Sequence, residues 1–206
     1  EIAGVRYTVP AGVPGQAPGF GTMALAALGS ETTVLEAFDD WSRAWDQFAK
    51  EGKFIAFAQA KASAPTPRGR TVHGAVATTI ELPANGTAEV IFLLTWHFPN
   101  KYNGGGEWMG CQYATLWPDA QAVMREAAGN FDQWRGKTEG FRRAFYDSTL
   151  PYWLLDCVTA NAAIIRHVGV VFRIANGDIY GWEGSNGCCQ PTCTHVWGYE
   201  QTLSRL

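Results

Sequence analysis

The sequence has few charged residues and no cluster of one sign. Charged side chains make up 17% of the 206 residues, the formal net charge is −3 and no basic run occurs. Because nucleic-acid binding depends on clustered Lys and Arg that contact phosphates, we expect no nucleic-acid partner. No apolar run approaches the roughly 20 residues that cross a bilayer. A transmembrane segment is therefore not expected either.

Cysteines are also few, and they are unevenly spread along the chain. There are five of them, which are Cys111, Cys157, Cys188, Cys189 and Cys193. An odd number with three crowded together does not fit the disulfide framework of a secreted domain, which slightly favours a cytoplasmic protein. The chain starts at Glu1 without an initiator Met, so its beginning carries no information about export.

The crowded cysteines lie close to His195, and thiolates with imidazole are suitable zinc ligands. Their spacing argues against a metal site, because adjacent cysteines rarely bind one ion together and no second pair follows. We predict no metal and no cofactor. Whether Cys188, Cys189 and Cys193 are free, bridged or metal-bound stays open.

The first half of the chain is rich in patterns typical of antiparallel β-structure. Strands are predicted at Val5–Val9, Gly21–Leu28, Phe54–Gln59, Val72–Leu82 and Thr87–His97. The Asn85-Gly86 turn between the last two indicates a β-hairpin. Alternate residues of its second strand share one side, namely Val90, Phe92, Leu94 and Trp96. A helix is predicted over residues 36–50, ending at Gly52.

The second half is mainly helical by its pattern. Pro118–Tyr146 predicts two helices or one bent helix, and the clearest helix covers residues 149–166, with Pro151 in its first turn. A second hairpin is predicted around Asn176-Gly177. The last helix, Pro191–Leu206, has no stop signal, so we expect the chain to be truncated within it.

Several short segments resemble the bacterial branch of glycoside hydrolase family 116, which contains β-glucosidases and non-lysosomal glucosylceramidases. The resemblance covers most of the chain and rests on the order of segments that are individually weak. These segments are Gly21–Leu25, Leu94–Asn100, Tyr146–Leu154, Trp182–Gly184, Cys193–Trp197 and Tyr199–Gln201.

The resemblance implies an α+β chain: the C-terminal part of an antiparallel β-sandwich, then the first helices and a β-hairpin of an (α/α)6 barrel. The expected domains are a partial sandwich at 1–117, a helical linker at 118–147 and the truncated start of the catalytic barrel at 148–206. Partners would be a β-glucoside and the remainder of the protein's own catalytic domain. The two catalytic carboxyl groups of this retaining glycosidase family should lie beyond Leu206, so the chain alone is expected to be inactive.

Four residues are candidates for the wall of a sugar pocket: Trp182, Glu183, His195 and Trp197. Aromatic rings stack on sugar C–H groups, while carboxylate and imidazole groups hydrogen-bond to hydroxyls. Each residue also has a purely structural interpretation, and we predict no catalytic residue within the chain. The alternative function is a non-catalytic carbohydrate-binding or adaptor domain built on the β half.

Overall fold

The computed structural model describes residues 2–10, 12–29, 31–55, 66, 72–164 and 171–181. They divide into two compact units. The first takes its residues from Glu1–His97 and Trp117–Gly129, and the second from Phe98–Leu116 and Asn130–Leu206. These units interleave along the chain, whereas the predicted domains follow one another. The division into sandwich, linker and barrel stays a prediction.

Along the described residues, β-rich stretches alternate with helical stretches. The strands are β1 (Ala3–Thr8), β2 (Thr22–Leu28), β3 (Thr32–Phe38), β4 (His73–Thr78), β5 (Ile91–His97), β6 (Val171–Arg173) and β7 (Ile179–Gly181). The helices are α1 (Trp41–Glu51), α2 (Tyr113–Leu116), α3 (Ala120–Gly129), α4 (Phe131–Tyr146) and α5 (Tyr152–Ile164). No helix within the described ranges is long and apolar enough to cross a membrane.

Two antiparallel sheets form the first unit. One has the order β1-β2-β5, and the other pairs β3 with β4. They touch where Gly74 of β4 meets β1, because a Cβ at Gly74 would clash with the Tyr7 hydroxyl and lie 2.9 Å from a methyl of Val5. The α+β class with antiparallel sheets is thus confirmed, and it is consistent with the expected sandwich-type domain. The barrel stays a prediction.

Helix α3 covers one face of the three-stranded sheet. Small residues of β2, Ala24 and Ala26, pack with Ala120 and Met124 of the helix, and Leu93 of β5 borders this cluster. Alanines at the contact let the helix axis approach the sheet closely. This buried cluster of the first unit therefore lies between α3 and the paired strands β2 and β5.

The first turn of α3 is fixed by hydrogen bonds to the sheet. The N–H of Ala120 donates to Oγ1 of Thr22, and Oγ1 of Thr95 donates to the carbonyl of Ala120, both at 2.8 Å. Asp119 caps the helix by accepting the N–H of Ala122 at 2.7 Å. Because the first N–H groups of a helix lack partners within it, these contacts stabilise its start.

The predicted hairpin between β4 and β5 is wrong. Its turn exists, since the N–H of Gly86 donates to the Pro83 carbonyl at 2.8 Å and Asn85 has a φ of 60°. However, β4 ends well before this turn and β5 begins well after it. Each strand pairs with another partner in a different sheet, so the turn signal does not determine the pairing.

The two faces of β5 differ in burial. Phe92, Leu94 and Trp96 do share a side, but all three are about half exposed, at 49%, 55% and 53%. The opposite face carries the buried Thr95 and His97. The reason is that α3 packs on that opposite face, which the alternation of residues in β5 alone could not indicate.

Helix α1 begins later than predicted, because residues 36–38 belong to β3, a strand that the sequence reading missed. Asp40 caps it by accepting the N–H of Arg43 at 3.1 Å. The predicted stop is confirmed: Gly52 adopts the left-handed conformation and its N–H donates to Phe48 at 2.8 Å. The break between α3 and α4 also confirms two helices within Pro118–Tyr146.

We predict that Gly74→Ala destabilises the first unit by about 1–3 kcal/mol, since the added methyl overpacks the contact between the two sheets. The matched control is Gly19→Ala, where nothing lies within 4 Å of an added Cβ. The free energy of unfolding in urea measures both changes. Equal effects of the two substitutions would contradict the tight sheet contact.

Candidate functional site

The second unit contains a loop that folds back on itself between β5 and α2. The N–H groups of Met109 and Gly110 donate to the carbonyl of Lys101 at 2.8 and 3.1 Å. The N–H of Cys111 donates to Pro99 at 3.2 Å. Residues 99–111 therefore form a hydrogen-bonded return, which gives this loop a defined shape despite its glycines.

Asn103 closes the glycine-rich tip of the loop. Its Oδ1 accepts the N–H groups of Gly105 and Glu107 at 3.0 and 2.9 Å, and its Nδ2 donates to Glu107 Oε2 at 3.0 Å. The tip is thus organised by its own side chains. It is a local turn and lacks the Gly-Lys-Ser/Thr ending of a phosphate-binding loop.

The predicted second hairpin is confirmed, and it is joined to this loop. Strands β6 and β7 pair antiparallel around the Asn176-Gly177 turn. The N–H of Gln112 donates to Arg173, and the N–H of Ala175 donates to Met109, both at 3.0 Å. The hairpin and the loop consequently form one structural element of the second unit, which we call the loop–hairpin site (residues 99–112 and 171–181).

Trp108 is the large exposed ring of the loop–hairpin site. Its indole N–H donates to Asn100 Oδ1 at 3.0 Å, and the side chain remains 51% exposed. A Cβ at Gly110 would lie 2.6 Å from the ring and 2.8 Å from Ala175. Gly110 therefore provides the space that lets the indole rest against the backbone and next to the hairpin.

A second aromatic group lies on the hairpin itself. The rings of Phe172 and Tyr180 are 5.8 Å apart, and Lys101 Nζ lies 4.8 Å from the centre of the Phe172 ring. Both rings are half-buried, and rings with nearby polar groups suit the amphipathic surface of a sugar. The arrangement offers contacts for binding a sugar, and none of these contacts is a catalytic one.

Burial raises the pKa of two groups here, Cys111 in the loop and Tyr113 at the start of α2. The Tyr113 hydroxyl accepts the N–H of Phe98 at 2.7 Å and donates to its carbonyl at 3.2 Å, and burial raises its pKa. Burial likewise raises the pKa of the Cys111 thiol, although Lys101 opposes this effect. Since the thiolate is the nucleophilic form, this burial disfavours reaction at Cys111.

The four predicted pocket residues, Trp182, Glu183, His195 and Trp197, lie outside the described residues. The crowded cysteines do so as well. In the sequence, Trp182 directly follows Gly181, the last residue of β7. Their roles stay predictions. Asp178, directly before β7, is an exposed residue whose Oδ2 accepts a hydrogen bond from Asn176 Nδ2 at 2.8 Å.

The remaining histidines of the described part have structural surroundings. His97 is buried on the side of β5 that faces α3, and His73 packs its ring against Trp41 at 4.9 Å. Within the ranges given above, no group of three or more His, Cys, Asp or Glu side chains could hold a metal ion.

Antiparallel sheets joined to loops with exposed aromatic rings are typical of protein modules that contact carbohydrate. The chain belongs to glycoside hydrolase family 116: the family model described as beta-glucosidase 2, glycosyl-hydrolase family 116 N-term, matches residues 10–134, more than half of its length. This confirms the family suggested by the sequence motifs and implies a carbohydrate substrate. No curated protein shows significant similarity to the chain.

The sequence reading missed the arrangement of Asn100, Trp108 and Gly110. The Asn and the Trp are eight positions apart, and no short motif links an amide to an indole at that distance. The one available signal was Gly110 close to an aromatic residue, which is too common a pattern to be informative. Its meaning depends on the contact with Ala175 of the hairpin, far along the chain.

We predict that Gly110→Ala lowers the free energy of unfolding more than Gly106→Ala does. Both glycines have positive φ, at 65° and 81°, so an alanine at either position costs about 1–2 kcal/mol of backbone strain. Only Gly110→Ala also overpacks the ring of Trp108, which adds about 1–3 kcal/mol. Urea denaturation of both variants measures the difference. Identical losses would show that Trp108 does not rest on Gly110.

Proposed function

We propose that this chain is the front part of a retaining glycosidase that cleaves β-glucosides. The observation that supports the proposal is the family match over residues 10–134, together with the order of motifs that continues beyond the match to Gln201. In this proposal the chain supplies scaffold and part of the pocket wall. The reacting carboxyl groups come from residues that follow Leu206.

The mechanism requires two carboxyl groups about 5 Å apart, one as nucleophile and one as acid/base. By resemblance the nucleophile is a Glu that precedes an Asn-Thr-Tyr-Asp run, and the acid/base is an Asp further along. Neither segment occurs among the 206 residues. The nucleophile attacks the anomeric carbon as the acid protonates the leaving oxygen, and water then releases the sugar with retained configuration.

The chain's own contribution is recognition. Trp182 and Trp197 offer rings for stacking on the C–H face of glucose. Glu183 accepts hydrogen bonds from sugar hydroxyls, and His195 donates one. Each of these contacts orients the sugar toward the carboxyl pair, so loss of one weakens binding or positioning without removing the chemistry.

Exposed rings on α5 support the view that this helix belongs to a larger helical assembly. Tyr152 and Trp153, the first two residues of α5, are 74% and 70% exposed. Helices of an (α/α) barrel cover such rings with neighbouring helices, and large apolar patches are rare on isolated domains.

The alternative function is a carbohydrate-binding or adaptor domain without catalysis. The observation that favours it is the exposure of aromatic rings in the β half, such as Phe92 and Trp96 of β5.

The 206-residue chain alone should show no glycosidase activity, because it lacks the expected carboxyl pair. Release of nitrophenol from an aryl β-glucoside measures this. Hydrolysis by the chain that Glu183→Gln abolishes would overturn the proposal, since it would make Glu183 catalytic.

The protein encoded by the complete reading frame should hydrolyse an aryl β-glucoside with retention, so proton NMR should detect the β-anomer of glucose first. Trp182→Ala should lower kcat/KM by roughly tenfold or more, the effect of about 1.4 kcal/mol of lost transition-state binding. The matched control is Trp134→Ala, an exposed tryptophan of α4, which should leave kcat/KM unchanged. Initial appearance of α-glucose would exclude a retaining mechanism.

A further inference from the structure

Helix α1 carries large aromatic rings that are exposed to solvent. Trp41, Trp45 and Phe48 follow one another at helical spacing, and the two tryptophans are 61% and 65% exposed. Ala44 is the buried residue of this helix. Exposure of two indoles on one short helix is unusual for a protein surface, where large apolar patches generally mark binding sites.

The rings of α1 line an apolar groove that continues onto the two sheets. The groove has a volume of about 310 Å³. Residues of β4, from Ala75 to Thr78, also line it. Its aromatic lining consists of Phe38, Trp41, Trp45, Phe48, Phe54 and Phe92. The half-exposed Phe92 of β5 is thus one of the residues that line this groove.

The rings are held in position by contacts with one another. Trp41 meets Phe38 edge to face at 5.0 Å and packs on His73 at 4.9 Å. Phe48 lies 5.3 Å from Phe54 and 6.0 Å from Trp45. Because braced rings lose little conformational entropy when a ligand binds, the groove is preorganised.

Polar groups lie directly beside this apolar surface. A second cavity, of about 420 Å³, shares Phe38 and Ala44 with the groove and is lined by Asp39, Asp40, Arg43 and Gln47. Carboxylates accept hydrogen bonds from hydroxyl groups, and an amide both accepts and donates them. One surface therefore offers flat rings together with a polar, partly acidic border.

We propose that this α1 groove is a binding site for β-linked glucan chains, an inference that goes beyond the proposed hydrolysis. β-Glucose has equatorial hydroxyls, so its ring faces present C–H groups and its edge presents polar groups. That distribution matches aromatic rings with an adjoining polar border. The acidic residues Asp39 and Asp40 disfavour an anionic membrane surface, and an acyl chain would leave the polar border unused.

The test measures retardation of the complete protein in native gels that contain hydroxyethylcellulose, a soluble β-glucan derivative. The wild type should be retarded. Trp41→Ala and Trp45→Ala should each weaken glucan binding by about tenfold, as expected for a central aromatic contact. Trp134→Ala on α4 should bind as the wild type does. Hydrolysis of a small aryl β-glucoside should be unchanged in all three variants.

Two further variants keep the test valid if an alanine substitution disturbs folding. Trp45→Phe retains a ring and should weaken binding less than Trp45→Ala. Asp40→Asn preserves the helix cap, because Asn also caps helices, yet removes a charge from the border, so binding should weaken several-fold at unchanged stability.

The proposal is overturned if the wild type is not retarded, or if the α1 variants are retarded as strongly as the wild type. It is also overturned if the α1 variants migrate differently in gels without glucan, which would mean that the groove serves a protein contact. The gels measure glucan binding, and the aryl-glucoside assay measures hydrolysis. A protein that does not bind glucan in the groove can therefore be distinguished from one that does not hydrolyse β-glucosides.

Discussion

The first unit depends on how the start of α3 is attached to the sheet. The backbone of Ala120 is held between two threonine side chains, with its N–H bonded to Thr22 and its carbonyl bonded to Thr95. Ala120 is fully buried, so each of these polar groups would cost roughly 1–3 kcal/mol if left without a partner. The helix therefore has one position on the sheet, and the alanines of β2 permit the close approach.

This attachment decides which residues remain available for binding. Since α3 occupies one face of β5, the ring of Phe92 is directed to the other face, where it borders the groove of α1. The same tertiary contact thus buries Thr95 and His97, while Phe92, Leu94 and Trp96 on the other face stay about half exposed. That division separates a side of the sheet that packs on α3 from a side that borders the groove of α1.

Local signals in the sequence predicted local structure well. The Asn176-Gly177 turn identified the hairpin of β6 and β7, and Gly52 identified the end of α1, because each depends on the conformation of a few neighbouring residues. Strand pairing failed, since β4 and β5 choose partners distant in sequence. The family was predictable from ordered motifs, whereas the Trp108 contact with Gly110 requires the folded hairpin.

We propose that this chain is part of a glycosidase, supplying scaffold and pocket wall, and that the reacting carboxyl groups are encoded after it. The most direct test is the nucleotide sequence that follows the codon for Leu206. The account predicts that the reading frame continues through a further helical domain, with a Glu before an Asn-Thr-Tyr-Asp run and a later Asp. A stop codon directly after Leu206 would contradict it and would leave sugar binding without hydrolysis as the function to examine.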